Sequence, residues 1–279
     1  MGSTVAIAGA LACEHIATSS DPGGATTVLT AVAVALGVAV VLGLCNGLLV
    51  ARLGVQPIVA TLILMVAGRG VAQLITDGQI ITVNSDKYHM IGGGHLLTFP
   101  FAVLLAAVLV ALTALVTRRS ALGLLIESVG GNPAAGRLTG IRAAGLLTLV
   151  YVFSALCAAV AGLMISSNVN AADGNNAGLW IELDAILAVV IGGTALTGGR
   201  FSLGGTVLGA MIIQTLSTTV YTLGVPPETT LVFKAFVVIA VCLVQSPVFR
   251  AKMPRRHKAA APRSDTTADA AGRQQEARA

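Results

Sequence analysis

The stretch ESVGGNPAAGRLTGI, Glu127–Ile141, separates two long apolar runs and is bracketed by cations, Arg118 and Arg119 before it and Arg142 after it. It carries the punctuation of a small helix. Asn132 suits an N-cap, Pro133 the first helical position, and Gly140 a left-handed stop. A short capped helix held between two membrane spans forms a rigid knob, better shaped to press on a partner than to enclose a small molecule. The same residues also describe a well-made loop, and spacing alone does not separate the two.

Outward from this interval the chain is apolar almost throughout. Of 279 residues, 55% are hydrophobic and 10% charged, with a mean hydropathy of +0.87. A soluble domain carries about 25% charged residues, so the composition excludes a water-soluble globule and predicts an all-α polytopic membrane protein. Eight apolar runs are expected, near 1–17, 27–51, 57–76, 96–117, 144–166, 183–197, 203–223 and 230–247. The second carries Gly43 and Gly47 at helix-packing spacing, and the third is interrupted by Gly68-Arg69-Gly70. The four cysteines lie inside apolar runs without a C-x-x-C pair and read as small buried hydrophobes. Residues 1–249 form the membrane domain, with 127–142 as a loop or helix inside it. The segment from Arg250 is Ala/Arg/Asp-rich, lacks apolar periodicity and is expected to be disordered.

The net charge of +5 comes from Lys and Arg that flank spans or fill the tail, which sets topology and carries no nucleic-acid signal. With Met1 and the C-terminus on one side, Arg52, Arg118, Arg119, Arg137, Arg142, Arg200 and the eight tail cations share that side, 14 of 17. The positive-inside rule makes it the cytoplasm. The interval at 127–141 and the tail are therefore expected to face the cytoplasm.

Several residues are candidates for a solute path. Arg69 lies inside an apolar run, where an arginine is paired or faces a polar cavity. It either lines a path or pins helices together through carbonyls or an acid such as Asp77 or Asp184. The segment ADGNNAGLWIELD (172–184) clusters amides and acids, Asn176 and Asp184 among them, with the single Trp180. Those groups suit a neutral polyol; they also suit an interface loop, the depth Trp180 favours. GGTALTGGRFSLGG (192–205) reads as a break between two half-length apolar pieces. Irregular backbone at membrane depth must be buried in protein or line a cavity, which brings in Gly192 and Gly193, although a plain inner loop fits too.

Motifs for other chemistry are missing. GNPAAGRL from Gly131 has Walker-A glycine spacing but Arg137 and Leu138 where Lys and Ser/Thr are required. There is no H-E-x-x-H, no G-x-S-x-G and no His/Cys cluster, so the expectation is a transporter subunit, with no metal, no cofactor and no catalytic residue of its own. A passive channel and an intramembrane enzyme are the alternatives.

Three blocks carry a resemblance: QPIVATLILMVAGRGVAQLIT (56–76), ESVGGNPAAGRLTGI (127–141) and LDAILAVVIGGTALTGGRFSLGGTVLGA (183–210). They resemble the membrane permeases of bacterial sugar ABC importers, the ribose and galactose permease family. AGRGVAQLIT, DGNNAGLWIELDAILAVVIGG and PPE are similar to its galactofuranose-type permeases. The resemblance implies a permease in the inner membrane that carries a monosaccharide inward. It also implies partners: a cytoplasmic ATPase pair, a second permease copy or paralogue, and a periplasmic or lipid-anchored sugar-binding protein. By the same resemblance Asn132–Gly140 is the coupling helix seated in the ATPase, with Glu127, Gly131, Asn132, Ala135, Arg137 and Gly140 on the coupling pattern. Family members carry about two further apolar segments ahead of Met1 and about ten spans in all. The expectation is therefore that a GTG valine codon was taken as the start.

Overall fold

The computed structural model describes residues 1–19, 21–96, 99–132, 136, 138, 140–194, 198–199, 201–224, 232 and 235–236. The eighth run apart from 232 and 235–236, the tail from Arg250, Ala135 and Arg137 lie outside the described residues, as do Pro133 and Arg200.

Nine helices are described: α1 (Gly2–Ala17), α2 (Ala25–Ala51), α3 (Pro57–Ile75), α4 (Asp86–Gly93), α5 (Phe101–Arg119), α6 (Ala121–Gly131), α7 (Ala143–Val169), α8 (Ile181–Ile191) and α9 (Leu203–Thr222). Four strands of two or three residues accompany them: β1 (Ile80–Thr82), β2 (His95–Leu96), β3 (Phe99–Pro100) and β4 (Ala171–Asp173). Met1–Thr219 form one compact unit. Among the described residues five helices are long and apolar enough to cross a membrane: α2, α3, α5, α7 and α9. The expected eight spans are thus only partly matched. The first run forms a helix of 16 residues, and the sixth ends after 11, at Ile191.

α1 is the axis of the unit. Twelve of its 16 residues are buried, on every face, as a helix surrounded by others must be. It packs against α2, α3 and α7. The α1–α7 crossing depends on Gly162, where a Cβ would run into the carbonyl oxygen of Val5, and on Gly9 against Ser166. α2 and α7 run antiparallel in close contact, and the Gly43/Gly47 pair makes this possible. Added Cβ atoms would meet the Cα of Val152 at 2.7 Å and that of Thr148 at 2.9 Å. Helices in lipid gain little from hydrophobicity and associate through such tight packing.

The structure departs from the sequence expectations in four further places. Gly68-Arg69-Gly70 does not interrupt α3, because Gly68 instead packs against the Ser3 side chain. The polar stretch after α3 contains α4, started by Ser85, whose hydroxyl accepts from the Tyr88 N–H at 3.4 Å. Two serines of α7 hold α4 in place. Tyr88 donates to Ser166 at 2.6 Å, since the Ser166 proton goes to the Gly162 carbonyl at 2.9 Å. Ser167 bridges the Tyr88 carbonyl and the Gly92 N–H. Glu127–Gly131 form the last turn of α6. Finally, Cys45 is exposed on α2, whereas Cys13 is buried. Non-local pairing adds β1 to β4, with Ile81 opposite Ala172, and so ties the end of α3 to the end of α7.

Gly162→Ala is expected to lower the unfolding midpoint of the detergent-solubilised protein by about 3–10 °C, the usual range for overpacking by one carbon. Gly37→Ala, with nothing within 4 Å of the new atom, leaves it the same or raises it slightly, since Ala is the better helix former. Scanning fluorimetry of the two variants checks both outcomes.

Candidate functional site

Arg69 leaves α3 about two-thirds of the way along and reaches the turn that follows β4. Its Nη1 donates to the carbonyls of Gly174 at 3.3 Å, Asn175 at 3.1 Å and Ala177 at 2.7 Å. One turn further along α3, Gln73 donates to the Asn175 side-chain oxygen at 2.6 Å. The turn organises itself around Asp173. That carboxylate accepts from the Asn175 N–H at 2.8 Å, from the Asn176 N–H at 3.2 Å and from the Asn176 amide at 2.7 Å. Burial pushes the Asp173 carboxyl up, but these bonds and the Arg69 charge outweigh it and hold the carboxyl below its ordinary value.

Asn176 lines a cavity of about 350 Å³ bounded by Val5 and Gly9 of α1, Ser166 of α7, Asp173 and Gly178. The chain then descends to Trp180, half-exposed and left-handed (φ 64°), which starts α8. Glu182, in the first turn of α8, accepts from the Gly2 N–H at 2.7 Å and so caps α1 from outside it. Asp184 lies in the same first turn.

Gly192 and Gly193 sit at the far end of α8, about 12 Å along the axis from Asp184 at about 1.5 Å per residue. Gly193, at φ 81°, is the left-handed stop, and the Thr194 N–H closes the motif on the Val189 carbonyl at 3.2 Å. Gly192 packs on the backbone of Gly205 and Thr206, at the start of α9. The five candidate path residues therefore fall in three places: Arg69 and Asn176 at the turn, Asp184 in the first turn of α8, and the glycine pair at its end.

At the interval between α6 and α7, Asn132 closes α6, and its carbonyl accepts from the Gly136 N–H at 3.1 Å. Gly140 has φ 81°, and the Ile141 N–H reaches the Gly136 carbonyl at 3.1 Å. That is the bonding of a helical turn with a glycine stop. Glu127 lines a cavity of about 270 Å³ with Arg118, Ser120, Phe201 and Leu203. The end of α6 touches the break between α8 and α9: a Cβ on Gly198 would run into the Gly130 carbonyl.

Sequence reasoning missed Glu182 and the amide Asn46, which is buried in α2 with its Oδ1 unpartnered. The one signal for Asn46 was an amide within an otherwise apolar 27-residue helix.

The family model described as branched-chain amino acid transport system / permease component matches residues 1–242. The chain belongs to this family of transport permeases. Among similar proteins, the galactofuranose transporter permease protein YtfT of Escherichia coli (strain K12) is 54% identical over 215 residues, covering 77% of this chain and 63% of the relative. The permease thus spans under two-thirds of that relative's length. The fructose import permease protein FruF of Bifidobacterium longum (strain NCC 2705) is 41% identical, covering 88% of this chain and 69% of its own. The ribose import permease protein RbsC of Escherichia coli (strain K12) is 34% identical, covering 88% and 76%. No solved structure matches the permease.

Arg69→Leu leaves three carbonyls of the turn without their charged donor. It is expected to speed amide exchange of Asn175–Gly178 about tenfold or more, with Arg69→Lys intermediate. The ordering that ionised Asp173 gives the turn is present at neutral pH and lost as pH falls through its lowered folded value. Exchange mass spectrometry across a pH series checks both statements.

Proposed function

We propose that this chain is the membrane-spanning permease of an ATP-binding-cassette importer. It passes a monosaccharide, galactofuranose or a related aldose such as ribose or galactose, into the cytoplasm. The observation that carries the reading is the agreement among relatives: proteins 54%, 41% and 34% identical to it are named for galactofuranose, fructose and ribose transport. The family description names branched-chain amino acids. The polar groups around Asn176 favour the sugar, because a zwitterion needs a free cation and Arg69 is already spent on three carbonyls.

In this reading the permease makes no covalent bonds. A sugar-binding protein, periplasmic or lipid-anchored, delivers cargo to the face carrying Asp173 and Asn176. A second permease copy or a paralogue completes the path, and a separate ATPase supplies the energy. The segment around Asn132–Gly140, with Ala135 and Arg137 in it and Glu127 and Gly131 just before it, seats in that ATPase. Movement of α6 then travels through the Gly130–Gly198 contact into the break between α8 and α9, and from there to the turn that Arg69 holds. Topology follows the cation distribution, with the C-terminus in the cytoplasm.

Labelled-sugar uptake in a deletion strain tests this. The complemented strain is expected to take up galactofuranose or an aldose only with ATP and the binding protein. Replacing Asn132–Gly140 by a flexible linker of equal length is expected to abolish uptake while leaving the protein in the membrane. Uptake at the parental rate by the linker variant overturns the coupling role, and uptake without ATP overturns the importer.

A further inference from the structure

A third cavity lies apart from the Asp173–Asn176 turn. It measures about 100 Å³; Met1, Gly43, Leu64 and Ala155 form an apolar wall, and its polar groups come from Thr4 of α1, Asn46 of α2, Thr61 of α3, and Tyr151 and Ser154 of α7. One water needs about 10–15 Å³ on this measure, so the space takes several waters or the hydroxyl edge of a small solute. Asn46 is 6% exposed, and its Oδ1 has no hydrogen-bond partner. An unpartnered amide oxygen in the interior of an apolar helix is costly, and polar groups retained in such places belong to solute pathways. Tyr151 stands eight residues into α7, about 12 Å from its start at about 1.5 Å per residue. The cavity therefore sits toward the end of the bundle that carries Arg52 and Arg142. Thr4 borders this cavity and Val5 borders the one at Asn176, so α1 has one cavity on either side of adjacent residues.

We propose that this cavity is a second station for the cargo, and that Asn46 is the residue that selects a neutral polyhydroxylated solute there. The proposal rests on the importer reading above. The chemistry of the lining sets the ligand class. Four hydroxyls and one amide each donate or accept, and none of these five side chains carries a charge. A sugar hydroxyl donates to the idle Asn46 Oδ1 and exchanges its remaining water bonds for those of Thr4, Thr61, Tyr151 and Ser154. An ion or a zwitterion loses its hydration there, and the one charge at the edge, the Met1 ammonium, is already paired with Glu182 at 3.7 Å. Binding is weak, as a station on a path requires, because each neutral bond replaces one to water.

The test uses the full importer, permease with ATPase and binding protein, reconstituted in liposomes. Asn46→Leu is expected to lower sugar uptake about tenfold, as the loss of one hydrogen bond in a water-poor site does. In a background with Cys13, Cys45, Cys157 and Cys242 replaced, Ser154→Cys is expected to react with a small uncharged, polar methanethiosulfonate, and sugar under turnover slows the reaction. Leu62→Cys, on the exposed face of α3, does not react. An inert Ser154→Cys, or reaction that sugar does not slow, overturns the station, as does unchanged uptake by Asn46→Leu. If the parental importer moves no sugar, the importer reading fails instead; free sugar without turnover then probes Ser154→Cys, and absence of slowing overturns the station as well.

Discussion

A backbone that leaves its helix inside an apolar slab must find partners for every carbonyl it exposes, because lipid offers none. In this permease that obligation falls on Arg69. Its guanidinium gathers the carbonyls of Gly174, Asn175 and Ala177, so the chain can turn back from β4 and descend into the bundle. The arginine in turn is acceptable in an apolar helix because three acceptors and the nearby Asp173 carboxylate satisfy it. The two unfavourable features, a half-buried cation and an irregular backbone, offset each other. Without the pairing α8 would have no fixed starting point, and Glu182 could not reach α1.

Around that anchor the architecture is a matter of close approach. α1 is buried on all sides and touches its neighbours through Gly9, Gly68 and Gly162. These contacts bring main chains together with little side chain between them, so the central helix behaves as part of the scaffold. The cavities lie against its flanks, bordered by Thr4 and Val5. A few polar groups, Ser166, Asp173 and Asn176 in one and Thr4, Asn46, Thr61, Tyr151 and Ser154 in the other, stand in otherwise apolar linings, and bulky apolar side chains of α3 and α5 turn outward. Placement of polar groups beside a rigid axis, more than any single reactive residue, gives this chain the character of a conduit.

Much of this was legible in the residues. α2, α3, α5, α7 and α9 follow from apolar length, and the Gly43/Gly47 spacing foretold a tight helix pair. Arg69 was legible as a cost, but its partners were not, since they are main-chain carbonyls a hundred residues away and carry no side-chain signature. The end of α8 at Ile191 was legible in the glycine pair that opens the break at 192–205, although the apolar run itself was drawn to Thr197. Hydropathy reports what lipid tolerates, not where a left-handed glycine stops a helix. α4 was missed because its only local sign, Ser85 followed by Asp86, sits in a polar stretch. The pairing of β1 with β4 depends on tertiary placement alone. Asn46 escaped notice since one amide barely alters the average of 27 residues.

The contact between Gly130 and Gly198 has a mechanical meaning of its own. Most junctions between moving parts of a protein contain rotamers that flex and absorb motion. Here the peptide of one element bears directly on the peptide of the other, with no soft material in the joint. Under the proposed coupling role, a displacement at the end of α6 would reach the Gly198–Gly199 turn undamped, in the manner of a pushrod rather than a spring.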